Sequence, residues 1–347
     1  VAAETGDQGY TQALERVWED VVMRNMYITG GIGSSTKNEG FTEDYDLPNE
    51  TAYCETCASV GMVFWQQRMN LYSGQSKYID VLERSLYNGS LAGVQLTGDL
   101  FFYVNPLASM GLHHRKPWYG VACCPSNVSR LLPSVGGYLY NVSDNTFWVN
   151  LYVSSETKVA ISGRKVSFSL QTNYPWSGEV ELKVNPDTTT AINFALKLRL
   201  PDWCEKYTLQ INGQPMTNIQ NDKGYLSVSR AWTQKDVVKL RMDMPVKIVA
   251  ADPRVKANVG KRALQRGPLV YCVEEQDNRH LDFEKMVLSH QTQYMTSFEP
   301  NLLNGITVIK AQNGNDVFTM IPYYAWDNRQ PGRMKVWLEW KDKKVKP

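Results

Sequence analysis

The chain has 347 residues, 43% hydrophobic and 21% charged, with 37 Lys and Arg against 35 Asp and Glu. That balance describes an ordinary folded protein of two or three domains, and a formal net charge of +2 gives no electrostatic case for a nucleic-acid or anionic-membrane partner. No apolar run approaches the roughly 18 to 20 residues of a membrane-crossing helix, and 10 Trp, 19 Tyr and 10 Phe supply too much buriable surface for a disordered chain.

From Gln12 to Asn25 the apolar residues Leu14, Val17, Trp18, Val21 and Val22 recur at helical spacing. The stretch ahead of them starts at Val1 with neither a basic leader nor an apolar leader core, so no signal peptide is expected within the chain. A Gly-rich break over 29–34 follows the first helix. It lacks a preceding strand, a complete G-x-G-x-x-G and a Walker Lys, so it reads as a turn and not as a phosphate loop. An acidic loop then runs through Glu39, Glu43, Asp44 and Asp46. Further helices are expected over about 51–71, over about 77–92 with Tyr78, Val81, Leu82 and Leu86 on one face, and from Pro125 past Leu131, Leu132 and Val135.

Beyond Phe147 the helical period gives way to short alternating runs at 148–153, 166–170, 180–184, 194–200 and 207–211, bounded by Gly, Pro, Asn or Asp. Such a series indicates β-sandwiches. The expected fold is mixed α and β: a helical domain over 1–143, a β-sandwich formed by 144–250 with 335–347, and a second sandwich over 251–334. Four helices cannot close an α/α toroid. The chain is therefore expected to be the C-terminal part of a longer protein, or half of a nicked one; a compact four-helix domain is the alternative.

Six cysteines are too few for a disulfide scaffold, but their positions are informative. Cys54 and Cys57 form a C-x-x-C, and Cys123 and Cys124 are adjacent. Alone, this pattern suggests a thiolate-rich zinc site, because zinc is soft enough for sulfur and needs only tetrahedral geometry. On a regular helix Cys54 and Cys57 share a face while Glu55 and Cys57 do not, which favours Cys54 as the fourth ligand. A Cys54–Cys57 disulfide, buried cysteines acting as small hydrophobes, and a purely structural zinc are competing readings. A bridge within the adjacent pair would strain the peptide geometry. One of these two thiolates could instead serve as both ligand and nucleophile, held ionised by the metal.

The strings Tyr27-Ile-Thr-Gly-Gly-Ile-Gly33, Asp44-Tyr-Asp-Leu-Pro-Asn49, Ala52-Tyr-Cys-Glu-Thr-Cys-Ala58, Val121-Ala-Cys-Cys-Pro-Ser-Asn127 and Ala263-Leu-Gln-Arg-Gly-Pro-Leu-Val-Tyr271 carry a family resemblance. From about Tyr10 onward the chain resembles glycoside hydrolase family 127, whose best-known members are bacterial β-L-arabinofuranosidases. The related family 146 shares the zinc–cysteine arrangement and stands beside it. The resemblance implies the C-terminal part of an (α/α)6 barrel followed by two antiparallel β-sandwiches. It implies a zinc ion held by Glu55, Cys57, Cys123 and Cys124, with Cys123 as nucleophile, Glu39 as general acid/base and Tyr103 contacting the sugar. Glu55 as a ligand requires an irregular segment at or just before the helix start, and Cys54 in its place stays open.

The implied reaction is retaining hydrolysis of an oligosaccharide or glycoside of plant origin. The family's other sugar-binding residues belong to helices upstream of Val1, so activity is expected to need the remaining barrel half, from the same gene product or a companion chain. A homodimer, and a bacterial cytoplasmic or periplasmic location, are both compatible with this reading. His113 and His114 read as surface residues. The contrasting reading is a carbohydrate-binding or scaffolding protein with a structural zinc, in which Trp148, Trp176, Trp203, Trp232, Trp326, Trp337 and Trp340 offer stacking surfaces.

Overall fold

The computed structural model describes residues 1–341, and the fold is mixed α and β with three sheets among them. The chain divides into two compact units. One gathers Val1–Val63, Arg84–Leu131 and the chain from Val246; the other gathers Phe64–Glu83 and Leu132–Pro245.

In the first unit the helix Gln8–Arg24 is capped by Asp7, whose carboxylate accepts the Gly9 N–H at 2.7 Å. Trp18 and Val21 turn inward. The helix starts ahead of the expected Gln12 because the cap lies in a polar turn that the apolar period does not reach. The run expected over 77–92 is divided into an α-helix, Ser76–Arg84, and a π-helical turn, Ser85–Ser90. Tertiary pairing accounts for the wider turn. Buried Asn88 donates to the Pro268 carbonyl at 2.9 Å and accepts from the Val270 N–H at 2.8 Å. Gly89 lies so close to Ser59 that a Cβ there would stand 2.7 Å from its Oγ.

The sheet of this unit has ten strands, with the order Val287–Ser289, Leu338–Lys341, Lys261–Arg266, Leu269–Glu274, Asp316–Pro322, Ile306–Asn313, Gln293–Glu299 along its main path. All six residues of Leu269–Glu274 are buried, which makes it the core strand. Two domain boundaries expected from the sequence are corrected here. Val246–Val249, expected in the first sandwich, pairs antiparallel with Ala263–Arg266. Residues 335–341, also expected there, belong to the same sheet: Lys335 pairs with Val273 and with Ala108, and Glu339 pairs with Lys261 and Val287. These short segments meet their backbone hydrogen-bonding needs on this sheet, and local alternation cannot say which sheet a strand will join. The remainder of that expected segment, 342–347, lies outside the described residues.

The second unit contains two sheets. One has the order Gln220–Asp222, Tyr225–Trp232, Ile192–Arg199, Thr146–Val149, Tyr140–Ser143. The other runs Ser155–Ile161, Arg164–Thr172, Glu179–Pro186, Asp236–Met242, Tyr207–Ile211, Gln214–Pro215. Alternation sets the faces: Val180, Leu182 and Val184 are buried while Glu179 and Lys183 face solvent. Phe147 from the first sheet stacks on Phe168 from the second with ring centroids 3.7 Å apart. Asn212 and Gly213 both have positive φ, as a two-residue type I′ hairpin turn between Ile211 and Gln214 demands.

A buried ionic cluster ties Ser76–Arg84 to these sheets within the unit. The fully buried Arg199 donates to Asp80 Oδ1 at 2.6 Å, Glu83 Oε1 at 2.5 Å and the Asn150 carbonyl at 2.6 Å. The Tyr174 hydroxyl donates to the same Glu83 oxygen at 2.7 Å. Replacing Arg199 with Met leaves two buried carboxylates uncompensated, so the expected loss is about 3–5 kcal/mol. Urea unfolding monitored by tryptophan fluorescence measures it, and a loss under about 1 kcal/mol would show that the cluster does not hold this unit together.

Candidate active site

Two helices begin at the same place. The helix Thr56–Ser73 starts one residue after Glu55, whose carbonyl accepts the Ser59 N–H at 3.1 Å. Glu55 is thus outside the regular helix and Cys57 lies in its first turn. The start is set by distant partners: the Thr56 N–H donates to the Tyr103 carbonyl at 3.0 Å and its hydroxyl to the Phe102 carbonyl at 2.8 Å. Asn105, itself buried, donates to the Cys54 carbonyl at 2.8 Å and to Thr56 Oγ1 at 2.9 Å. Cys54 takes a left-handed backbone (φ 38°). The other helix, Cys123–Ser134, begins two residues earlier than the Pro125 start expected, which puts both vicinal cysteines inside its first turn.

The side chains of Glu55, Cys57, Cys123 and Cys124 converge, each offering one donor atom within 4.8 Å of the others. Cys57 and Cys124 Sγ are 3.4 Å apart, Cys123 and Cys124 Sγ 3.9 Å, and Glu55 Oε1 lies 3.3 Å from Cys123 Sγ and 3.7 Å from Cys124 Sγ. A tetrahedral ion bonded to sulfur at about 2.3 Å and to oxygen at about 2.0 Å separates its donors by roughly 3.5–3.8 Å. The four groups therefore fit a metal ion in both spacing and donor chemistry. Cys124 is buried while the other three are half-buried. All six cysteines are free, and Cys54, buried against Gly31, is not part of the cluster.

The thiols divide in acidity. The neighbouring Cys124 thiol pulls Cys57 below its ordinary value, whereas the Cys57 sulfur pushes Cys124 far above it and burial raises Cys123. All three cysteines lie in the first turns of helices, a position that favours ionised sulfur.

Tyr103 stands beside the cluster, its hydroxyl 3.3 Å from Cys123 Sγ. Its N–H donates to the Tyr119 hydroxyl at 3.1 Å, and that hydroxyl donates to the Phe101 carbonyl at 2.8 Å. The two rings meet edge-on with centroids 5.4 Å apart. Buried Tyr53 donates to Glu55 Oε2 at 3.2 Å. Burial, then the charge of Glu55, push the Tyr53 hydroxyl above its usual range, and the charge of Glu39 adds to this. Glu39 is exposed, outside the four-donor cluster, on a left-handed residue (φ 49°) of a loop closed by Ser35 and Gly40.

Tyr53, Asn105 and Tyr119 are the contributors that spacing did not reveal. Their hydroxyl and amide roles are indistinguishable in sequence from ordinary packed or loop residues. His113 and His114, read as surface residues, are part-buried and structural: His113 stacks on Phe102 with centroids 4.8 Å apart, and His114 Nδ1 meets Asp327 Oδ1 at 2.7 Å. Of the tryptophans considered as glycan platforms, Trp203, Trp232, Trp326 and Trp337 are buried, while Trp148, Trp176 and Trp340 stay partly exposed. Among the described residues no helix is long and apolar enough to cross a membrane.

Three consecutive family models match the chain. They are the β-L-arabinofuranosidase GH127 catalytic domain over 1–137, the GH127 middle domain over 146–244, and the glycoside hydrolase family 127 C-terminal domain over 246–339. A curated relative, the non-reducing end β-L-arabinofuranosidase of Bifidobacterium longum subsp. longum, is 36% identical across 95% of this chain. The crystal structure of a GH127 β-L-arabinofuranosidase from Geobacillus stearothermophilus T6 superposes with a TM-score of 0.92 at 43% identity over 98% of the chain. A second solved GH127 β-arabinofuranosidase gives 0.93 at 41% identity, again over 98%. The chain spans 56% of the length of the curated relative and 58% of each solved chain.

The protein is expected to take up about one equivalent of a divalent metal through this cluster. Cys124→Ala should weaken the affinity by at least about tenfold, since losing a direct ligand costs no less than losing an outer partner. Competition against a chromophoric chelator reads the change; an unaltered affinity would remove Cys124 from the site.

Proposed function

Because this chain belongs to glycoside hydrolase family 127, we propose that it catalyses retaining hydrolysis of a β-L-arabinofuranoside, with Cys123 as nucleophile and Glu39 as general acid/base. The observation that carries the reading is the half-exposed Cys123 sulfur, 3.3 Å from both Glu55 Oε1 and the Tyr103 hydroxyl, at a helix N-terminus. The names of the relatives supply the substrate class. In this proposal residues 1–137 contribute part of an (α/α)6 barrel, and the additional length of the relatives corresponds to the rest of the sugar pocket.

The cluster suits zinc, which Glu55, Cys57, Cys123 and Cys124 would hold and which, when bound, would supply the positive charge that keeps sulfur ionised at neutral pH. The residues divide the remaining work. The Cys123 thiolate attacks the anomeric carbon, a C–S bond forms as the glycosidic C–O bond breaks, and the proton on Glu39 passes to the departing oxygen. A water molecule then loses a proton to Glu39 as its oxygen attacks the same carbon. The C–S bond breaks, the thiolate returns, and Glu39 is again protonated. Two successive inversions retain configuration, with sulfur in the place of the usual second carboxylate. Tyr103, its hydroxyl 3.3 Å from the sulfur, would donate to the thiolate and contact the sugar.

In the intact protein Cys123→Ala should abolish hydrolysis of aryl β-L-arabinofuranosides. Glu39→Gln should lower kcat by about 10²–10⁴-fold at an unchanged melting temperature, and Cys123→Ala, which also removes a proposed metal donor, should melt with the wild type when both are metal-free. A Cys123→Ala protein that turns over at the wild-type rate ends the nucleophile assignment, and a Glu39→Gln protein that does so ends the acid/base assignment.

A further inference from the structure

Glu55 carries two oxygens, and they face different partners. Oε1 is directed at the sulfurs, 3.3 Å from Cys123 and 3.7 Å from Cys124, while Oε2 accepts the Tyr53 hydroxyl at 3.2 Å. A carboxylate just ahead of a helix start, half-exposed, would otherwise turn freely about its side-chain bonds and lose rotamer entropy on binding an ion. The Tyr53 hydroxyl fixes the plane of the carboxylate and with it the oxygen that is offered to the cluster.

Tyr53 is itself held before any ion arrives. It is only 4% exposed. Its backbone carbonyl accepts the Asn105 N–H at 3.2 Å, and its ring lies against Gly33, where a Cβ would come within 3.4 Å of it. Gly33 has φ 93°, a conformation that L side chains rarely adopt, so a glycine there both makes the turn and leaves room for the ring. Asn105 also donates to the Cys54 carbonyl and to Thr56 Oγ1, so one buried amide group sets the residues on both sides of Glu55.

We propose that Tyr53 is a positioning residue for the metal centre: its hydroxyl holds Glu55 as a one-oxygen donor, and this preorganisation sets the affinity of the four-residue site. The inference rests on the metal-site reading above and adds to it a residue outside the ligand set. Outer partners that orient a metal-binding side chain typically contribute 10- to 100-fold in affinity.

The test is a zinc titration of the full protein against a chromophoric chelator, under a non-thiol reductant, for wild type, Tyr53→Phe, Glu55→Ala and the double variant. Tyr53→Phe, which keeps the ring and removes one oxygen, should bind zinc about 10- to 100-fold more weakly. The double variant should be no weaker than Glu55→Ala alone, because Tyr53 acts only through Glu55. The metal-free Tyr53→Phe protein should melt with the metal-free wild type, while the gain in melting temperature on adding zinc shrinks. Equal zinc affinity in Tyr53→Phe and wild type overturns the positioning role and leaves the metal site standing. So does a strictly additive double variant, or an equal drop in melting temperature with and without zinc. Wild-type protein that takes up no zinc overturns the metal site and this inference together.

Discussion

Four groups that become negative on ionisation are held within 4.8 Å of one another, and the local structure depends on making that tolerable. At an effective dielectric of about 20, two like charges 4 Å apart repel by roughly 4 kcal/mol, so the cluster cannot ionise fully without compensation. Three devices answer the repulsion. The three cysteines sit in the first turns of two helices, where the positive helix end favours a negative charge. Protons are divided unequally, with Cys57 the easier thiol to ionise and Cys124 the hardest. Donor spacing matched to a tetrahedral ion leaves room for a divalent charge. The chemistry assigned to Cys123 needs the same compensation, since a thiolate must exist before it can attack.

The compensation is useful only if the donors stay in place, and most of the surrounding hydrogen bonds do that work. The segment carrying Tyr103 is fastened to the helix start by Thr56 and Asn105. It is backed by Tyr119 from the next loop. That loop is in turn anchored by Arg115, which is buried and donates to the Ala92, Trp326, Tyr324 and Asp327 carbonyls, while Asp327 accepts the Arg115 N–H and meets His114. This loop leaves Met110, Leu112, Trp118 and Val121 exposed, and charge-assisted hydrogen bonds to the turn after Asp316–Pro322 order it. Within this unit, strands far along the chain contribute no donor to the cluster, yet they hold the loop that backs its neighbour Tyr103.

Several features were legible because their causes are local. The first helix, the long alternating strands and the Asn212-Gly213 turn follow from apolar periodicity and turn chemistry, although of the helix's apolar residues only Trp18 and Val21 are buried and Val17 is exposed. The adjacent Cys123 and Cys124, with a C-x-x-C upstream, signalled sulfur chemistry by composition alone. Helical spacing, however, pointed to Cys54 as the partner of Cys57. The structure gathers Glu55 instead, because the helix begins at Thr56 and Cys54 turns to Gly31. The placement of Val246–Val249 and of residues 335–341 escaped the pattern for a related reason: alternation identifies a strand but is silent about its neighbour.

By itself, then, the sequence determined which segments are helix or strand, which residues could ionise or bind a soft metal, and, through its family strings, the likeness to a set of glycosidases. That Glu55 and Cys123, 68 positions apart, share a site was implied by the family strings and by no local pattern, and tertiary structure alone decided that Tyr53, Asn105 and Tyr119 steady it. The physical reason is range. Periodicity and propensity report on neighbours within a few residues, whereas this cluster is specified by hydrogen bonds whose donors and acceptors meet only after the strands and helices between them have packed.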